Sequence, residues 1–365
     1  APEETEPGID YAFDRQNWFE LSGEEHEAAR TAAAFFDLSS FAKLLVQGPD
    51  AEAMLQHLCA NDVGVAPGRC VYTGLLNPRG GYESDLTVTR LDAETFLLVT
   101  GSAQAVRDRH WIRRNMPEQA AAVVTDVTSA YAVFAVMGPN ARALLSRLTP
   151  ADLGNEAFPF ATMQEIDLGY ATVKALRMTY AGELGWELYV PVELAVGVYE
   201  DLIGAGRDLG LRHAGYYALE SLRIEKAYRA WGHELTPDDT PLEAGLNFAV
   251  AFGKGAPFIG RDALLRQKER GIGRRLLMFT LDDPEPVLYG GELILRDGEP
   301  VGELESAAYG HTLGCAVGLG YARIEGNGHA PSGSGRYEID LAGALIPATA
   351  HARTPYDPKS ERVRA

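Results

Sequence analysis

The chain has 365 residues, of which 46% are hydrophobic and 23% are charged, a composition typical of an ordinary folded protein. This length is large for one hydrophobic core and predicts two or three domains. The formal net charge of −18 argues against nucleic acids and anionic membranes as partners. An anionic small ligand would therefore need a locally basic pocket.

The three cysteines, Cys59, Cys70 and Cys315, form neither a CxxC pair nor a metal-binding spacing. We interpret them as buried free thiols in a reducing compartment. No apolar run approaches the roughly 20 residues of a membrane-spanning helix, and the N-terminus lacks a hydrophobic signal core. We therefore expect a cytoplasmic location, or the mitochondrial matrix in a eukaryote. Residues 1–15 begin with proline and glutamate and predict a linker.

Two segments share an apolar run, a Gly-Pro pair and an amphipathic helix pattern. They are LLVQGPDAEAMLQHL, residues 44–58, and VFAVMGPNARALLSRL, residues 133–148. Each predicts a strand that ends at glycine and a helix whose first turn is opened by proline. We interpret the repeat as a duplicated strand–turn–helix unit that binds no ligand, so the chain should contain two related α+β units.

The stretches outside the repeat alternate between polar and apolar residues in patterns typical of strands and helices. Between the two copies they predict strands at about 70–76, 84–90 and 95–100, a helix at about 103–115 and a strand near 121–127. A later helix, RDALLRQKER, should end at Gly271. From Arg274 onward, short alternating runs with frequent glycine predict a small β-barrel or jelly-roll domain.

These patterns divide the chain into a linker and three domains. The predicted boundaries are 1–15 for the linker-like segment, 16–60 plus 150–270 for a discontinuous α+β domain, 61–149 for a second α+β domain, and 274–365 for the C-terminal barrel.

The segment YAGELGWELY, residues 180–189, has the turn residues and the return strand of a hairpin that starts with a strand at 173–178. In the return strand, Glu187 and Tyr189 lie on the face opposite Trp186. Their face is either solvated or part of a binding surface.

The run from 219 to 246 predicts an amphipathic helix that breaks at Gly232, followed by an acidic loop that contains prolines. Arg223 borders the apolar side of this helix. It is either paired within the fold, with Glu220 one turn earlier, or directed at an anion.

A turn cluster at 77–81 precedes a strand in which Asp85 and Thr87 share one face. By pattern alone, Asp85 is a solvent-facing carboxylate. The His233-Glu234 pair lacks the second histidine of a zinc-binding helix, and no glycine-rich strand–helix unit predicts a dinucleotide site. We therefore expect neither a metal nor a flavin in this chain.

Segments 180–189 and 219–246 together resemble the folate-binding module of the aminomethyltransferase family. That family includes the glycine cleavage T-protein and the C-terminal halves of dimethylglycine and sarcosine dehydrogenases and oxidases. The resemblance covers nearly the whole chain after about residue 15. It implies an α+β, T-protein-like arrangement of three domains, with two related α+β units and a C-terminal β-barrel or jelly-roll domain.

The resemblance also implies roles for individual residues around tetrahydrofolate. Asp85 matches an acidic residue beside the reactive nitrogens, where a carboxylate can stabilise cationic species and relay a proton. The other predicted site residues would bind the folate: Thr87 beside Asp85, Tyr180 and Glu187 on the pteridine, Gly182 (with Gly185) where the turn approaches the ligand, Arg223 from the helix, and Trp231 as an aromatic contact.

The implied activity is tetrahydrofolate-dependent one-carbon transfer. The chain would accept an iminium or formaldehyde unit from N-methyl amine oxidation and form 5,10-methylenetetrahydrofolate. The loop RAWGHELTPDDTPLEAGL resembles the dimethylglycine/sarcosine type, which implies a flavin-containing amine-oxidising domain or subunit as partner, with FAD bound there. A glycine cleavage-type aminomethyltransferase, a folate-dependent O- or S-demethylase and a non-catalytic scaffold subunit remain as alternatives.

Overall fold

The computed structural model describes residues 8–324 and 335–365. The described residues form a six-stranded sheet, a five-stranded sheet and a closed six-stranded barrel, together with helices that pack on the sheets. This architecture confirms the predicted α+β class and the C-terminal β-barrel. The first seven residues of the predicted linker, and residues 325–334 of the predicted barrel domain, lie outside the described residues.

The described α-helices are α1 Phe19–Thr31, α2 Ala51–Leu58, α3 Ala105–Asn115, α4 Ala141–Leu145, α5 Ala195–Gly206, α6 Tyr216–Glu225 and α7 Arg261–Arg270. The strands are β1 Ala33–Asp37, β2 Ala42–Gln47, β3 Cys70–Leu76, β4 Tyr82–Arg90, β5 Thr95–Thr100, β6 Val123–Asp126, β7 Tyr131–Met137, β8 Met163–Leu168, β9 Ala171–Leu176, β10 Gly185–Pro191, β11 Leu211–His213, β12 Arg274–Leu281, β13 Leu293–Arg296, β14 Glu299–Gly310, β15 Cys315–Arg323, β16 Tyr337–Leu341 and β17 Ala344–His351.

The six-stranded sheet has the order β11-β1-β7-β10-β9-β8. Its pairs are antiparallel except β1 with β11. The alternation predicted for β10 is confirmed, because Trp186, Leu188 and Val190 all lie in the buried core on one face, whereas Tyr189 belongs to a different core on the other face. Helices α4 and α5 cover the first of these faces.

The five-stranded sheet has the order β3-β4-β5-β2-β6. One face packs on α2 and α3 through a buried core that includes Leu44, Phe96 and Leu98. The other face meets the six-stranded sheet in a shared core, where Cys70 and Leu97 pack with side chains such as Tyr189. The two sheets therefore face one another, and the strands that carry the predicted site residues border the space between them.

Each copy of the repeat lies in a different sheet: the first forms β2 and α2, the second β7 and α4. The two glycines match closely, with φ of +136° at Gly48 and +131° at Gly138. A Cβ at these positions would lie 2.2 Å from the Ala121 oxygen and 2.6 Å from the Ala32 oxygen. Only glycine fits such an approach of backbone to backbone. The two α+β units are thus built alike, although each helix begins two residues after its proline and not at it.

Strand pairing divides the chain differently from the predicted boundaries. Strand β2, which we assigned to the discontinuous domain, pairs in the five-stranded sheet, and β7, assigned to the second domain, pairs in the six-stranded sheet. The chain crosses between the sheets through the short connections 38–41 and 127–130. Both repeats begin just after a crossing, and neither connection has the composition of a linker, so the sequence pattern did not indicate the change of sheet.

Helix α6 ends at Glu225, seven residues before the predicted break. Ala227 adopts a left-handed φ of +52°, its amide donates to the Ile224 oxygen at 2.8 Å, and the Tyr228 amide donates to the Arg223 oxygen at 2.9 Å. This pair of bonds is a Schellman motif. It satisfies the last carbonyl groups of the helix and turns the chain away, so the residues up to Trp231 follow an irregular path.

Two of the predicted buried thiols are indeed buried. Burial raises the pKa of Cys59 and of Cys70 to about 12, so both remain protonated. Cys315 is only half-buried, because it is the first residue of β15, next to the turn that connects β14 to β15. Within residues 8–324 and 335–365, no helix has the length and apolar character needed to cross a membrane.

Candidate active site

Four of the predicted site residues come from three separate elements and lie where the two sheets face each other. Strand β4 carries Asp85 and Thr87, strand β10 carries Glu187, and the turn before β10 carries Tyr180. All four side chains are half-buried, so none of them is simply a solvated surface group.

Asp85 has one hydrogen-bond partner that fixes its orientation, the Tyr72 hydroxyl, which donates to Oδ2 at 2.9 Å. Within the described residues, Asp85 forms no ion pair. Burial raises the pKa of its carboxyl to about 6, the Tyr72 hydrogen bond opposes this rise, and the negative charges of Asp108 and Glu234 add to it. A carboxyl with this pKa can both release and accept a proton near neutral pH.

Tyr72 is a site residue that the sequence reasoning missed. Burial and the neighbouring Asp85 raise the pKa of its phenol well above the usual value, so it is a permanent hydrogen-bond donor. A signal was present, because the antiparallel register of β3 with β4 pairs Tyr72 with Thr87, two residues from Asp85. Residues this close on one face of a hairpin interact.

Thr87 and Glu187, which lie in different sheets, are both close to the thiol of Cys70. Thr87 lies beside the Cys70 side chain, and Cys70 in turn lies near enough to Glu187 for the two groups to affect each other electrostatically. The β4 and β10 sides of the cleft therefore meet at Cys70.

Glu187 lies on the cleft side of β10, where its Oε2 accepts a hydrogen bond from the Tyr189 hydroxyl at 2.9 Å. Burial raises its pKa, and the Tyr189 bond opposes the rise. Within the described residues no cation pairs with it. An ionised carboxylate has about four acceptor positions, so Glu187 retains capacity for a ligand with several N–H groups.

Tyr180 lies between the strand and helix sides of the site. Its hydroxyl donates to the Arg229 carbonyl oxygen at 3.0 Å, and its ring stacks on Tyr228 with 6.0 Å between the centroids. Burial raises the pKa of the phenol, and both Arg223 and Asp85 are close enough to affect it. Tyr180 is therefore the residue that links Asp85 to the end of α6.

Arg223 is fully buried, and internal partners occupy both Nη atoms of its guanidinium, whereas Nε has no hydrogen-bond partner among the described residues. Nη1 donates to Glu234 at 2.8 Å and to the Tyr228 oxygen at 3.0 Å, while Nη2 pairs with Glu220. The ion pair with Glu220, one of the two alternatives from spacing, is thus present. The side chain of Arg223 has no exposed surface, whereas that of Glu220 is 42% exposed. A direct contact of Arg223 with folate would need Glu220 to move, and it stays a prediction.

Arg229 is a second residue that sequence reasoning missed. Its Nε and Nη2 donate to the Ala244 oxygen at 3.1 and 2.7 Å, and Nη1 donates to the Ala227 oxygen. It lies near Tyr72 and Tyr82, and burial lowers its pKa. Within the described residues it forms no ion pair with a carboxylate, so it is a candidate for the local positive charge that an anionic ligand of this acidic chain would require.

Trp231 lies beside Tyr82, the first residue of β4. Its indole N–H donates to the Tyr82 oxygen at 3.2 Å, and the Arg107 guanidinium lies 4.3 Å from its ring centroid. Arg107 also pairs with Glu83 of β4. One ring face of Trp231 is therefore already covered, and its contact with a ligand stays a prediction.

Gly182 and Gly185 are needed for packing within the protein. A Cβ on Gly182, where φ is +82°, would lie 2.1 Å from Cγ of Lys226, and a Cβ on Gly185 would lie 2.1 Å from Sδ of Met137. The close approach that we predicted toward a ligand is thus, in the structure, an approach to buried side chains. A contact of Gly182 with folate stays a prediction.

Family descriptions match nearly the whole chain. The GCVT N-terminal domain matches residues 5–254, and the glycine cleavage T-protein C-terminal barrel domain matches residues 274–357. The structure is also similar to that of the glycine cleavage system aminomethyltransferase T from Bartonella henselae, with a TM-score of 0.79 and 25% identity over 94% of this chain and 93% of that one.

Three curated relatives are similar along most of this chain. They are 4-methylaminobutanoate oxidase (formaldehyde-forming) of Paenarthrobacter nicotinovorans (44% identity over 99% of this chain), the mitochondrial pyruvate dehydrogenase phosphatase regulatory subunit of Mus musculus (38% over 93%) and the mitochondrial sarcosine dehydrogenase of Homo sapiens (39% over 92%). This chain spans 43%, 40% and 38% of their lengths, respectively. The chain belongs to the glycine cleavage T-protein (GCVT) family of folate-dependent aminomethyltransferases.

Proposed function

We propose that this chain binds tetrahydrofolate in the cleft between the two sheets and loads it with a one-carbon unit from N-methyl amine oxidation, forming 5,10-methylenetetrahydrofolate. The observation that carries the proposal is the pair of half-buried carboxyl groups, Asp85 on β4 and Glu187 on β10, each of which accepts a tyrosine hydrogen bond and has no ion-pair partner among the described residues.

The chemistry of these groups fits the ligand. Glu187 offers free acceptor positions in a partly apolar wall, which suits the row of N–H donors on a reduced pteridine. Tyr180, stacked on Tyr228, adds a flat surface beside it. Arg229 provides positive charge for an anionic ligand. Tetrahydrofolate would supply the two nitrogen atoms between which the one-carbon unit is carried.

Asp85 would perform the proton transfer and the charge stabilisation. A one-carbon unit at the oxidation level of formaldehyde reacts with nitrogen through cationic species, and a fixed carboxylate stabilises that charge. The raised pKa of Asp85, about 6, lets the same group accept a proton and return it near neutral pH. The Tyr72 hydroxyl holds Oδ2 in place during both steps.

The donor amine would be oxidised elsewhere. The relatives named as oxidase and dehydrogenase are more than twice the length of this chain. We propose that a flavin-containing domain or subunit, which holds the FAD, produces the one-carbon unit and that this chain captures it. The identity of that amine belongs to the partner's site.

The decisive experiment is calorimetry with tetrahydrofolate under anaerobic conditions, comparing wild type with Glu187→Gln. The loss of a charge-assisted hydrogen-bonded contact costs about 1.5–3 kcal/mol, so affinity should fall about 10- to 150-fold. Glu165→Gln is the matched control, because it makes the same charge change on an exposed position of β8. A well-folded wild type that binds no tetrahydrofolate would end the proposal.

One competing function has specific support. The relative named as a phosphatase regulatory subunit is consistent with a member of this family that acts as a scaffold. A scaffold would have no need of the Asp85–Tyr72 pair, whereas a transferase would. The calorimetry separates the two, and the glycine cleavage-type and demethylase alternatives then differ in which one-carbon donor supports turnover.

A further inference from the structure

A second carboxyl group lies behind Asp85, on the opposite face of β4. Asp108, on α3, is fully buried, and its Oδ2 accepts hydrogen bonds from the Ser84 hydroxyl and the Thr100 hydroxyl, each at 2.6 Å. Its other oxygen, Oδ1, has no hydrogen-bond partner among the described residues. Burial raises the pKa of the Asp108 carboxyl, whereas the two hydroxyl bonds and the nearby Arg107 oppose that rise and favour the ionised form.

Arg107 acts on Asp108 electrostatically but forms no ion pair with it. The preceding residue, Arg107, forms its ion pair with Glu83, and within the described residues no ion pair includes Asp108. A buried carboxylate without a counter-ion destabilises a fold, and a neutral amide of the same shape could also accept the two hydroxyl bonds. Packing alone therefore does not explain an acid at this position.

Ser84 is the structural link between Asp108 and Asp85. Ser84 and Asp85 are consecutive, so their side chains point to opposite faces of β4. The Ser84 hydroxyl also lies 3.3 Å from the Asp85 carbonyl oxygen, so the residue held by Asp108 contacts the main chain of Asp85. The two carboxyl groups thus lie on either side of one strand.

Three other polar or charged groups lie near Asp85, and none of them is a negative charge without an ion-pair partner, as Asp108 is. Tyr72 from β3 donates a hydrogen bond to it, and Tyr180 approaches from the turn before β10. Glu234, from the segment after α6, is negative, but it forms an ion pair with the buried Arg223.

We propose that Asp108 is a positioning residue for Asp85: it anchors β4 through Ser84 and places a second negative charge behind the strand, so that Asp85 retains a proton closer to neutral pH. The inference deepens the proposed function, because it names the group that adapts Asp85 to proton transfer. A like charge disfavours the ionised form of its neighbour, and removing it must lower the pKa of Asp85.

The test is a direct titration of Asp85 by NMR, with aspartate labelled at the carboxyl carbon and the Asp85 signal assigned from its absence in Asp85→Asn. Asp108→Asn keeps the shape and the acceptor for the two hydroxyl groups. We expect the Asp85 midpoint to fall by about 0.5–1 pH unit, the size of a like-charge interaction at short range in a protein. The matched control, Asp92→Asn, removes an equal charge from the exposed turn after β4 and should leave the midpoint in place.

A second variant covers the case in which Asp108→Asn does not fold. Thr100→Val has the same shape, removes one donor to Asp108 and makes its ionised form less favourable. It should move the Asp85 midpoint in the same direction by a smaller amount. An Asp85 midpoint that stays at the wild-type value in a folded Asp108→Asn, or in Thr100→Val if the former is unfolded, overturns the proposal.

The activity profile gives an independent readout. The acid limb of one-carbon transfer should move to lower pH in Asp108→Asn, whereas a purely structural role would reduce activity equally at all pH values, which also contradicts the proposal. The NMR midpoint needs no folate. If it shifts while the wild type binds no tetrahydrofolate, the proposed function fails and the coupling of Asp108 to Asp85 stands.

Discussion

Replacing Tyr72 with phenylalanine tests the proton chemistry of the site from the side opposite to Asp108. The Tyr72 hydroxyl donates to Asp85 at 2.9 Å and stabilises its ionised form. A hydrogen bond to a charged group is worth about 1.5–3 kcal/mol, which corresponds to about one to two pKa units. The variant should therefore raise the pKa of Asp85 from about 6 to about 7–8.

The direction in which Tyr72→Phe changes activity depends on which protonation state of Asp85 is active. If the carboxylate is the active species, activity rises as pH passes through the pKa of Asp85. At pH 7 the ionised fraction would fall from about 90% in the wild type to about 10–50% in Tyr72→Phe, and the acid limb would move upward by one to two pH units. The activity at pH 9 should recover most of the loss, which a structural defect would not allow.

The assay is the pH dependence of 5,10-methylenetetrahydrofolate formation, with Tyr82→Phe as the control. Tyr82 is also a buried tyrosine, and its hydroxyl has no hydrogen-bond partner among the described residues, so its loss breaks no hydrogen bond. If Tyr72→Phe keeps the wild-type midpoint, the phenol does not stabilise the carboxylate and the assignment of Asp85 as a tuned acid–base group is wrong.

Three further variants test the site and the fold. Asp85→Asn should leave tetrahydrofolate affinity nearly unchanged but slow product formation about 10²-fold, measured with a trap for free formaldehyde. Ala227→Gly should stabilise the protein by about 1 kcal/mol in urea unfolding, because glycine adopts the left-handed φ of +52° without strain, and an unchanged midpoint would refute this. Although burial raises the pKa of Glu225, His26 and Arg30 lower it to about 2. Its stabilising contribution should thus be complete above pH 4.5 and lost as pH falls toward 2, and Glu225→Gln should flatten that part of a stability–pH curve.

The parts of the fold that could be predicted from sequence are those with locally determined structure. Strands β3 and β5 and helix α7 lie at the predicted residues, because alternating or helical apolar patterns there end at turn residues or glycine. The prediction that Glu187 and Trp186 lie on opposite faces of β10 followed from the two-residue period of a strand, and their burial confirms it.

The end of α6 and the partners of Arg223 could not be predicted in the same way. The residues after Glu225 have good helix formers among them, yet Ala227 takes a left-handed conformation. The interactions that favour this turn include the pairing of Arg223 with Glu234, which lies eleven residues along the chain. Such tertiary contacts outweigh local propensity and leave no periodic signal.

The acid–base site was only partly visible for a related reason. Asp85 was identified through a family resemblance, but its exposure and partners depend on how two sheets face each other. Tyr72 could have been found from the hairpin register alone, since β3 and β4 are neighbours in sequence. Asp108 lies on a helix behind the sheet, and its contact with Ser84 spans 24 positions, so only the folded structure reveals it.

The two crossings between the sheets make the chain from β2 to β6 an insertion within the six-stranded unit. Its first and last strands pair side by side, with Leu44 opposite Asp126, so the insertion enters and leaves at one place. Adjoining ends are the feature that lets a segment be inserted into a host unit, although this one also shares a buried core with its host. The boundary of the insertion also divides the proposed site. Asp85, the proposed proton-transfer group, lies in the insertion, and Glu187, the proposed ligand-binding group, lies in the six-stranded unit.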